Sequence, residues 1–259
     1  MISGQKSDSR LWLESWPNRL TPLVDVICIP GAGAGTFAYR SWQRKLPGYC
    51  AMHVCQLPGR ENRIDEPVVD SLEDAVDQIC SAYLEQKSDQ RPLILFGHSM
   101  GGVMAFELAR KLQGMDCGPV AIILSASTPP RPSANKAKLS DEALKQMLVA
   151  YDSGNSSVVK NDELFASLAP VLQGDFQLLR GHVVVEESKL TCAEVHLLSG
   201  ESDPVVSNES VARWKQHFGC SVSQQEFSGG HQFPFQESES DVIGLLTDVV
   251  RRVVGSRVS

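Results

Sequence analysis

The sequence lacks the apolar segments that membrane and secreted proteins carry. Its longest apolar runs, such as residues 120–124 and 92–96, are far shorter than the roughly 20 residues that a helix needs to span a bilayer. Residues 1–10 are polar and have none of the hydrophobic character of a secretory signal. We therefore expect a cytoplasmic protein that neither crosses nor binds a membrane.

Basic clusters are missing as well. Lys and Arg total 24 against 31 Asp and Glu, which gives a formal net charge of −7, and no basic run interrupts this acidic background. Nonspecific nucleic-acid binding depends on positive charge against the phosphate backbone. We expect no nucleic-acid partner.

The cysteines show no pattern of disulfide or metal binding. Their number is odd, none forms a CxxC pair and none lies near clustered histidines. Several fall in apolar segments, where a thiol acts as a small hydrophobic side chain. We expect reduced thiols and no metal site. The cysteines are residues 28, 50, 55, 80, 117, 192 and 220.

What the sequence does contain is an alternation of strand-like and helix-like segments. Its 259 residues, 42% of them hydrophobic, suffice for one large α/β domain or two small ones. The alternation predicts a mostly parallel sheet with helices on both faces. Strands are predicted at residues 24–29, 52–57, 93–96, 120–125, 194–198 and, nearer an edge, 222–227. Helices are predicted at residues 72–83, 103–113, 209–218 and 241–254.

One segment, residues 127–189, breaks the alternation. It opens with several prolines and then shows helical patterns at residues 141–150 and 163–179, joined by a polar stretch. Connections between strands and helices usually span about 2 to 6 residues, so roughly 60 residues form an insertion. We expect a helical lid at residues 127–189, inserted within a single domain that covers residues 1–259.

A Gly-His-Ser-Met-Gly motif at residues 97–101 indicates a nucleophilic serine. It lies between a predicted strand and a predicted helix, where a nucleophile elbow presents a serine on a sharp, strained turn. Glycines flank the serine because such a turn leaves little room for Cβ atoms. Ser99 is the candidate nucleophile. The alternative is a glycine-rich turn with an incidental serine.

Serine needs a base and an orienting acid, which this architecture places downstream in the order Ser, acid, His. His231 follows the last predicted strand through two glycines and is the candidate base. Asp203 directly follows the strand at residues 194–198 and is the candidate acid. Glu201 is its nearby rival, and capping of a turn ahead of Pro204 is the alternative role for Asp203.

An oxyanion hole needs two preorganised N–H donors. One comes from the residue after the nucleophile, Met100, and the other from the loop after the first predicted strand, here the glycine-rich residues 30–35. Such a loop could also hold a phosphate. It has neither a Walker lysine nor a GxGxxG pattern, so nucleotide binding is disfavoured.

With these residues in place, the chain resembles the stand-alone (type II) thioesterases of nonribosomal peptide and polyketide synthesis, in the α/β-hydrolase superfamily. The likeness runs from about residue 30 to the last predicted helix. A Pro-Gly-Arg motif beside the elbow is more specific than the elbow alone. The motifs are residues 30–33, 58–61 with Arg63 and Glu66-Pro67, 96–102, 172–179 with Asp175-Phe176, 200–203, and Gly230, His231 and Phe233.

The resemblance implies an α/β-hydrolase fold, a mostly parallel central sheet flanked by helices, with a lid. It implies Ser99 as nucleophile, Asp203 as acid, His231 as base, and the N–H groups of Ala32 and Met100 as oxyanion donors. The reaction would be hydrolysis of an acyl thioester on the phosphopantetheine arm of an acyl or peptidyl carrier protein, for editing or product release. No cofactor is expected apart from the arm that the substrate carries.

Two other functions stay open. One is a general serine esterase or lipase that hydrolyses free oxyesters with the same three residues, and the other is a noncatalytic binding protein of hydrolase fold. A terminal domain of a megasynthase is also conceivable, although the start at Met1 with no carrier domain before it leads us to expect a separate protein, and a monomer.

Carrier proteins are typically acidic, and this chain is acidic too. Overall charge therefore does not attract such a partner. We expect docking to depend on a local basic or apolar rim, with Arg60 as one candidate.

Overall fold

The computed structural model describes residues 11–88, 90–130, 138–182 and 189–256. Within these ranges seven strands form one sheet in the order β1-β3-β2-β4-β5-β6-β7, with β1 antiparallel to β3 and the other pairs parallel. The strands are β1 (Leu13–Ser15), β2 (Val24–Ile29), β3 (Cys50–Cys55), β4 (Leu93–His98), β5 (Ala121–Ser125), β6 (Glu194–Gly200) and β7 (Ser223–Phe227).

Helices cover both faces of this sheet, as the alternation predicts. They are α1 (Trp42–Lys45), α2 (Leu72–Gln86), α3 (Met100–Gln113), α4 (Asp141–Tyr151), α5 (Ser156–Val159), α6 (Asp162–Gly181), α7 (Asn208–Ala212) and α8 (Glu239–Gly255). Ser71 caps α2, since its side chain accepts a hydrogen bond from the N–H of Asp74.

Most predicted elements are present, but the short helices α1 and α5, of four residues each, were not predicted. The predicted helix 209–218 is divided into α7 and a 3₁₀ segment, Arg213–His217. β1 was not predicted, because three residues are too few to show an alternating pattern. Its pairing with β3, Leu13 opposite Cys55, extends the sheet beyond the parallel strands.

The core divides into two layers because successive strand residues point to opposite faces. Ile27 and Ile29 pack with α2 and α3 in one buried cluster. Val26 and Cys28 pack with α8 in the other. β2 is buried along its whole length, which explains why it reads as a continuous apolar run.

The cysteines are part of this core. All seven lie in the described ranges and are free, and five of them are buried. Burial raises the pKa of both Cys50 and Cys55 to about 12. Such thiols stay protonated near neutral pH and are poor nucleophiles. Over the same ranges, no helix has the length and apolar character needed to cross a bilayer.

The described residues between β5 and β6 include α4, α5 and α6. A small apolar cluster, Leu144, Phe165, Leu172 and Phe176, joins α4 to α6, and Ala32 packs against it. The predicted insertion at residues 127–189 also includes 131–137 and 183–188, which lie outside the described residues, as does the polar segment 1–10.

The start of α3 packs directly on backbone. A Cβ atom at Gly101 would overlap the carbonyl oxygen of Ile29, and one at Gly97 would overlap the carbonyl oxygen of Gly101. Neither obstacle is a flexible side chain that could move aside. Glycine is required at both positions by close approach of the chain.

We expect Gly101→Ala to destabilise the protein by about 3 kcal/mol, since a methyl group must displace backbone in a packed region. Gly244→Ala is the matched control, because Gly244 lies in α8 with nothing within 4 Å of its would-be Cβ. That change should stabilise the protein by about 0.5–1 kcal/mol through helix propensity. Urea unfolding measures both. Equal effects of the two substitutions would contradict the packing argument.

Candidate active site

Ser99 lies on a sharp turn between β4 and α3. Its backbone has φ 54° and ψ −117°, a conformation that non-glycine residues rarely adopt. The turn is held by the N–H of Ser99, which donates to the carbonyl of Ser125, and by the N–H of Gly102, which donates to the carbonyl of Ser99. This is the strand–turn–helix context that a nucleophile elbow requires.

His231 and Asp203 reach Ser99 from the loops after β7 and β6. Asp203 Oδ2 lies 2.8 Å from His231 Nδ1, and His231 Nε2 lies 3.0 Å from Ser99 Oγ. A carboxylate only accepts hydrogen bonds, so Nδ1 donates to Asp203, which leaves Nε2 as the ring nitrogen that faces the serine hydroxyl. The structure therefore brings together the three side chains predicted from the sequence, 28 and 132 positions apart along the chain.

Asp203 makes the contacts expected for both of the roles considered for it. While Oδ2 contacts His231, Oδ1 accepts hydrogen bonds from the N–H groups of Val205 and Val206, capping the turn. The turn and the histidine thus fix the carboxylate from two sides. Its rival, Glu201, is exposed, and its carboxylate accepts a hydrogen bond from Ser228, not from His231.

The other histidines lie away from Ser99 Oγ. His53 contacts Ser15 and Asp25, His196 contacts Glu194 and Ser223, and His182 contacts Glu107. His217 packs against the rings of Phe106 and Trp214. Among these other histidines, only His98 contacts the ring of His231.

Residues 31–34 form a tight turn beside the serine. The N–H of Ala34 donates to the carbonyl of Gly31, and Gly33 at the third position has φ +75°, as a type II turn requires. Gly31 approaches Ser99 so closely that a Cβ there would lie 3.3 Å from Ser99 Cβ. The N–H of Ala32 has no hydrogen-bond acceptor among the described residues.

Met100, the second predicted donor, is the first residue of α3. The first N–H groups of a helix have no acceptor within the helix, and the helix dipole places positive potential there. Both predicted N–H groups thus flank Ser99, and either could donate to an oxygen that becomes negatively charged beside it.

A small cavity of about 30 Å³ adjoins Ser99, room for a water molecule or two. Ala32, His98, Tyr151, His231 and Phe235 are among its lining residues. An acyl chain does not fit this volume. Ser99 itself is half-buried.

Tyr151, at the end of α4, packs against the catalytic candidate His231. Its ring stacks on the His231 ring, with centroids 4.6 Å apart, and on Phe176. Burial and then the Asp203 carboxylate raise the pKa of the Tyr151 hydroxyl, so it stays protonated. Beside it, Asp152 accepts a hydrogen bond from Gln236, which ties α4 to the loop that carries His231. Sequence reasoning missed Tyr151, because a tyrosine at a helix end carries no distinguishing signal.

The suggestion that Arg60 forms part of a docking rim is wrong. Arg60 is only 6% exposed, and its guanidinium forms two hydrogen bonds with the carboxylate of Asp175 in α6. The Pro-Gly-Arg motif faces inward, so a partner does not reach this arginine.

Within the ranges that the structure describes, no group of three or more His, Cys, Asp or Glu side chains is placed to hold a metal ion. The candidate chemistry at Ser99 uses only the side chains and backbone groups already named. Independence from cofactors stays a prediction.

Comparison with known proteins identifies the family. The family model described as "Thioesterase domain" matches residues 24–249 of this chain. The chain belongs to the thioesterase family. It is 28% identical over 233 residues to the "Probable cadicidin biosynthesis thioesterase" of Streptomyces griseus, covering 88% of this chain and 63% of that one. It is 29% identical over 228 residues to "Thioesterase PikA5" of Streptomyces venezuelae, covering 86% and 80%.

Solved structures confirm the α/β-hydrolase fold and the resemblance to type II thioesterases. The type II thioesterase BorB from the borrelidin biosynthetic cluster superposes with a TM-score of 0.81 and 27% identity, covering 92% of this chain and 97% of that one. RedJ, from the prodiginine pathway of Streptomyces coelicolor, gives 0.80 and 26%, covering 90% and 94%.

His98 is a second, uncharged histidine in the thioesterase site. Its ring centroid lies 5.2 Å from that of His231, and it is buried against Phe235 and Ser125. Burial, and secondarily His231, hold the pKa of His98 well below its ordinary value of 6.5. His98 therefore remains neutral while the unfolded chain would be protonated in mild acid.

This difference between folded and unfolded chain makes stability depend on pH. Below pH 6.5 the unfolded chain binds a proton at His98 that the folded chain does not, so stability falls by up to about 1.4 kcal/mol per pH unit. We expect the melting temperature of the wild type to drop more between about pH 7 and pH 5 than that of His98→Gln. Parallel losses in the two proteins would show that His98 does not carry this effect.

Proposed function

We propose that this protein is a type II thioesterase that hydrolyses acyl thioesters on the phosphopantetheine arm of carrier proteins in polyketide or nonribosomal peptide biosynthesis. The observation that carries the proposal is the hydrogen-bonded series Asp203, His231 and Ser99 on an elbow flanked by two N–H donors. Membership of the thioesterase family supports the choice of a thioester substrate.

The reaction follows from the roles that these contacts permit. Ser99 Oγ attacks the thioester carbonyl carbon while His231 Nε2 takes the hydroxyl proton, and Asp203 stabilises the imidazolium. The oxyanion accepts hydrogen bonds from the N–H groups of Ala32 and Met100. Collapse breaks the C–S bond, and the sulfur leaves with the proton from His231. His231 then takes a proton from a water that attacks the acyl carbonyl carbon. The C–Oγ bond breaks, His231 returns the proton to Ser99 Oγ, and the acid is released.

The insertion at residues 127–189 serves as a lid in this proposal. Tyr151 covers His231, and the remaining cavity of about 30 Å³ is too small for an acyl chain. A pantetheine arm is long and thin, so it can enter once α4 moves while the carrier protein stays outside. Two of the similar proteins are a cadicidin biosynthesis thioesterase and a type II thioesterase from the borrelidin biosynthetic cluster, which supports a carrier-bound substrate.

Substitution of the three side chains tests the proposed chemistry. Ser99→Ala should abolish turnover of an acyl N-acetylcysteamine thioester, a small mimic of the pantetheine thioester. Asp203→Asn should lower kcat by about 10³ to 10⁴, because the imidazole loses its orienting carboxylate. Glu201→Gln, a matched change at the exposed neighbour, should leave kcat unaltered. Near-normal turnover in either of the first two variants, with the melting temperature kept, would refute the assignment.

Substrate class is tested by comparing three esters of the same acyl group. We expect the wild type to hydrolyse an acyl-loaded carrier protein with a higher kcat/KM than the N-acetylcysteamine thioester and a simple oxyester, and Ser99→Ala to hydrolyse none. Preference for the oxyester would support the general esterase instead. Binding of the loaded carrier without hydrolysis would support the noncatalytic protein. Mass spectrometry of acylated Ser99 identifies the acyl group.

A further inference from the structure

Asp175 in α6 is a buried carboxylate that contacts the loop carrying Ala32. Its side chain is 2% exposed, and Oδ2 accepts a hydrogen bond of 2.7 Å from the N–H of Gly33. α6 packs closely here, since a Cβ at Gly33 would lie 2.7 Å from Leu172 Cδ2. The residue that follows the proposed oxyanion donor is therefore held by a charge from the insertion.

Arg60 orients that charge and holds the same loop. Its Nη1 and Nη2 lie 2.6 and 2.7 Å from the two carboxylate oxygens of Asp175, a two-pronged geometry that fixes the plane of the carboxylate. Nη1 also donates to the carbonyl of Ala34, at 3.2 Å. Arg60 and Asp175 thus bond to the chain on the C-terminal side of Ala32, one through Ala34 and the other through Gly33.

The next residue of the Pro-Gly-Arg-Glu motif holds the end of the loop. The Glu61 carboxylate accepts hydrogen bonds from the N–H groups of Thr36 and Phe37, at 3.0 and 3.1 Å. The loop of residues 31–35 is thereby anchored beyond its tight turn as well. The N–H groups of Gly33, Thr36 and Phe37 thus donate to two carboxylates, and that of Ala34 donates to the carbonyl of Gly31. The N–H of Ala32 has no acceptor among the described residues and is left for a ligand.

These contacts also select one form of the turn. In a type II turn the central peptide, here Ala32–Gly33, is rotated by about 180° relative to a type I turn. Because N–H and C=O point in opposite directions across a trans peptide, the rotated form would direct the carbonyl of Ala32 at the Asp175 carboxylate. The carboxylate repels that oxygen and attracts the N–H of Gly33, so it fixes the orientation observed.

We propose that Asp175, oriented by Arg60, is a positioning residue that holds the oxyanion loop in its working geometry. This inference rests on the proposed function, because it assigns Ala32 to the oxyanion hole. It has a consequence for the insertion: α6 carries Asp175, so the loop is held only while α6 is seated against it. Seating of α6 and assembly of the oxyanion hole are one event.

The buried pair of Arg60 and Asp175 is not needed merely to join α6 to the sheet. Desolvation of two buried charges offsets most of their attraction, and well-packed apolar residues often stabilise a fold as much or more. What an apolar pair does not supply is an acceptor for the N–H of Gly33 and a donor for the carbonyl of Ala34. Stability and loop geometry can therefore be separated by mutation.

The first test is Asp175→Asn, assayed with the N-acetylcysteamine thioester. Removal of a whole oxyanion donor lowers kcat by about 10² to 10³, and a donor that is present but loosely held should cost less. We expect kcat to fall by about 10-fold to 100-fold with KM within about two-fold of the wild type, since the hole acts on the transition state. Arg60→Lys, which keeps the charge but not the two-pronged contact, should show the same pattern.

A second readout does not depend on how much protein is folded. A phenylboronic acid forms a tetrahedral adduct with the active serine and places an oxygen in the hole. Its inhibition constant should rise by about the same factor as kcat falls. Partial unfolding would reduce the amount of active enzyme and leave this constant unaltered.

Two controls separate positioning from stability. Asp25→Asn removes another fully buried carboxylate, which pairs with Arg91 at the start of β2, the end away from the loop of residues 31–35. The melting temperature of this variant should fall, and its kcat per folded molecule should be unaltered. The double variant Arg60→Met, Asp175→Leu should recover the melting temperature lost in Asp175→Asn without recovering kcat.

Recovery of kcat together with the melting temperature in the double variant, or an effect confined to KM, would overturn the positioning role. If the double variant does not fold, the kcat and boronate constants of Asp175→Asn and Arg60→Lys decide, and wild-type values there overturn it. Failure of the proposed function would look different, because the wild type itself would then not hydrolyse the thioester.

Discussion

The site depends on the seating of the first turn of α3 against the end of β2. Gly101 packs against the carbonyl oxygen of Ile29, and Gly97 packs against the carbonyl oxygen of Gly101. Neither position has room for a Cβ atom. This contact forces the chain at Ser99 into its strained conformation and brings the turn at Gly31 beside it. Ser99 and the loop of residues 31–35 are therefore positioned by one piece of backbone packing.

The parallel sheet supplies the rest of the arrangement. The loops after β6 and β7 leave the same edge of the sheet as the elbow, so Asp203 and His231 reach Ser99 although they are far away in sequence. Each partner is then held twice: Asp203 by its turn and His231, and the histidine ring by Asp203 and Tyr151. Two contacts on each side chain hold it in position even when no substrate is bound.

The parts predicted from the sequence are those with local signals. Continuous apolar runs predicted the parallel strands, and the position of residues 97–101 between a strand and a helix predicted the elbow. The choice of His231 and Asp203 followed from their place after the last two strands. β1 was not predicted because it is three residues long. The contact between Arg60 and Asp175 was not predicted because each residue belongs to a separate local motif.

By itself, the sequence determined the order of strands and helices, the serine elbow and the candidates for its two partners, since periodicity and short motifs are local properties of a chain. Only the tertiary structure decided which atoms meet. Arg60 was expected at the surface and is buried against Asp175, 115 positions away, and Tyr151 lies over His231. The physical reason is that such contacts follow from how α4 and α6 pack on the sheet, and no pattern within either helix specifies that packing.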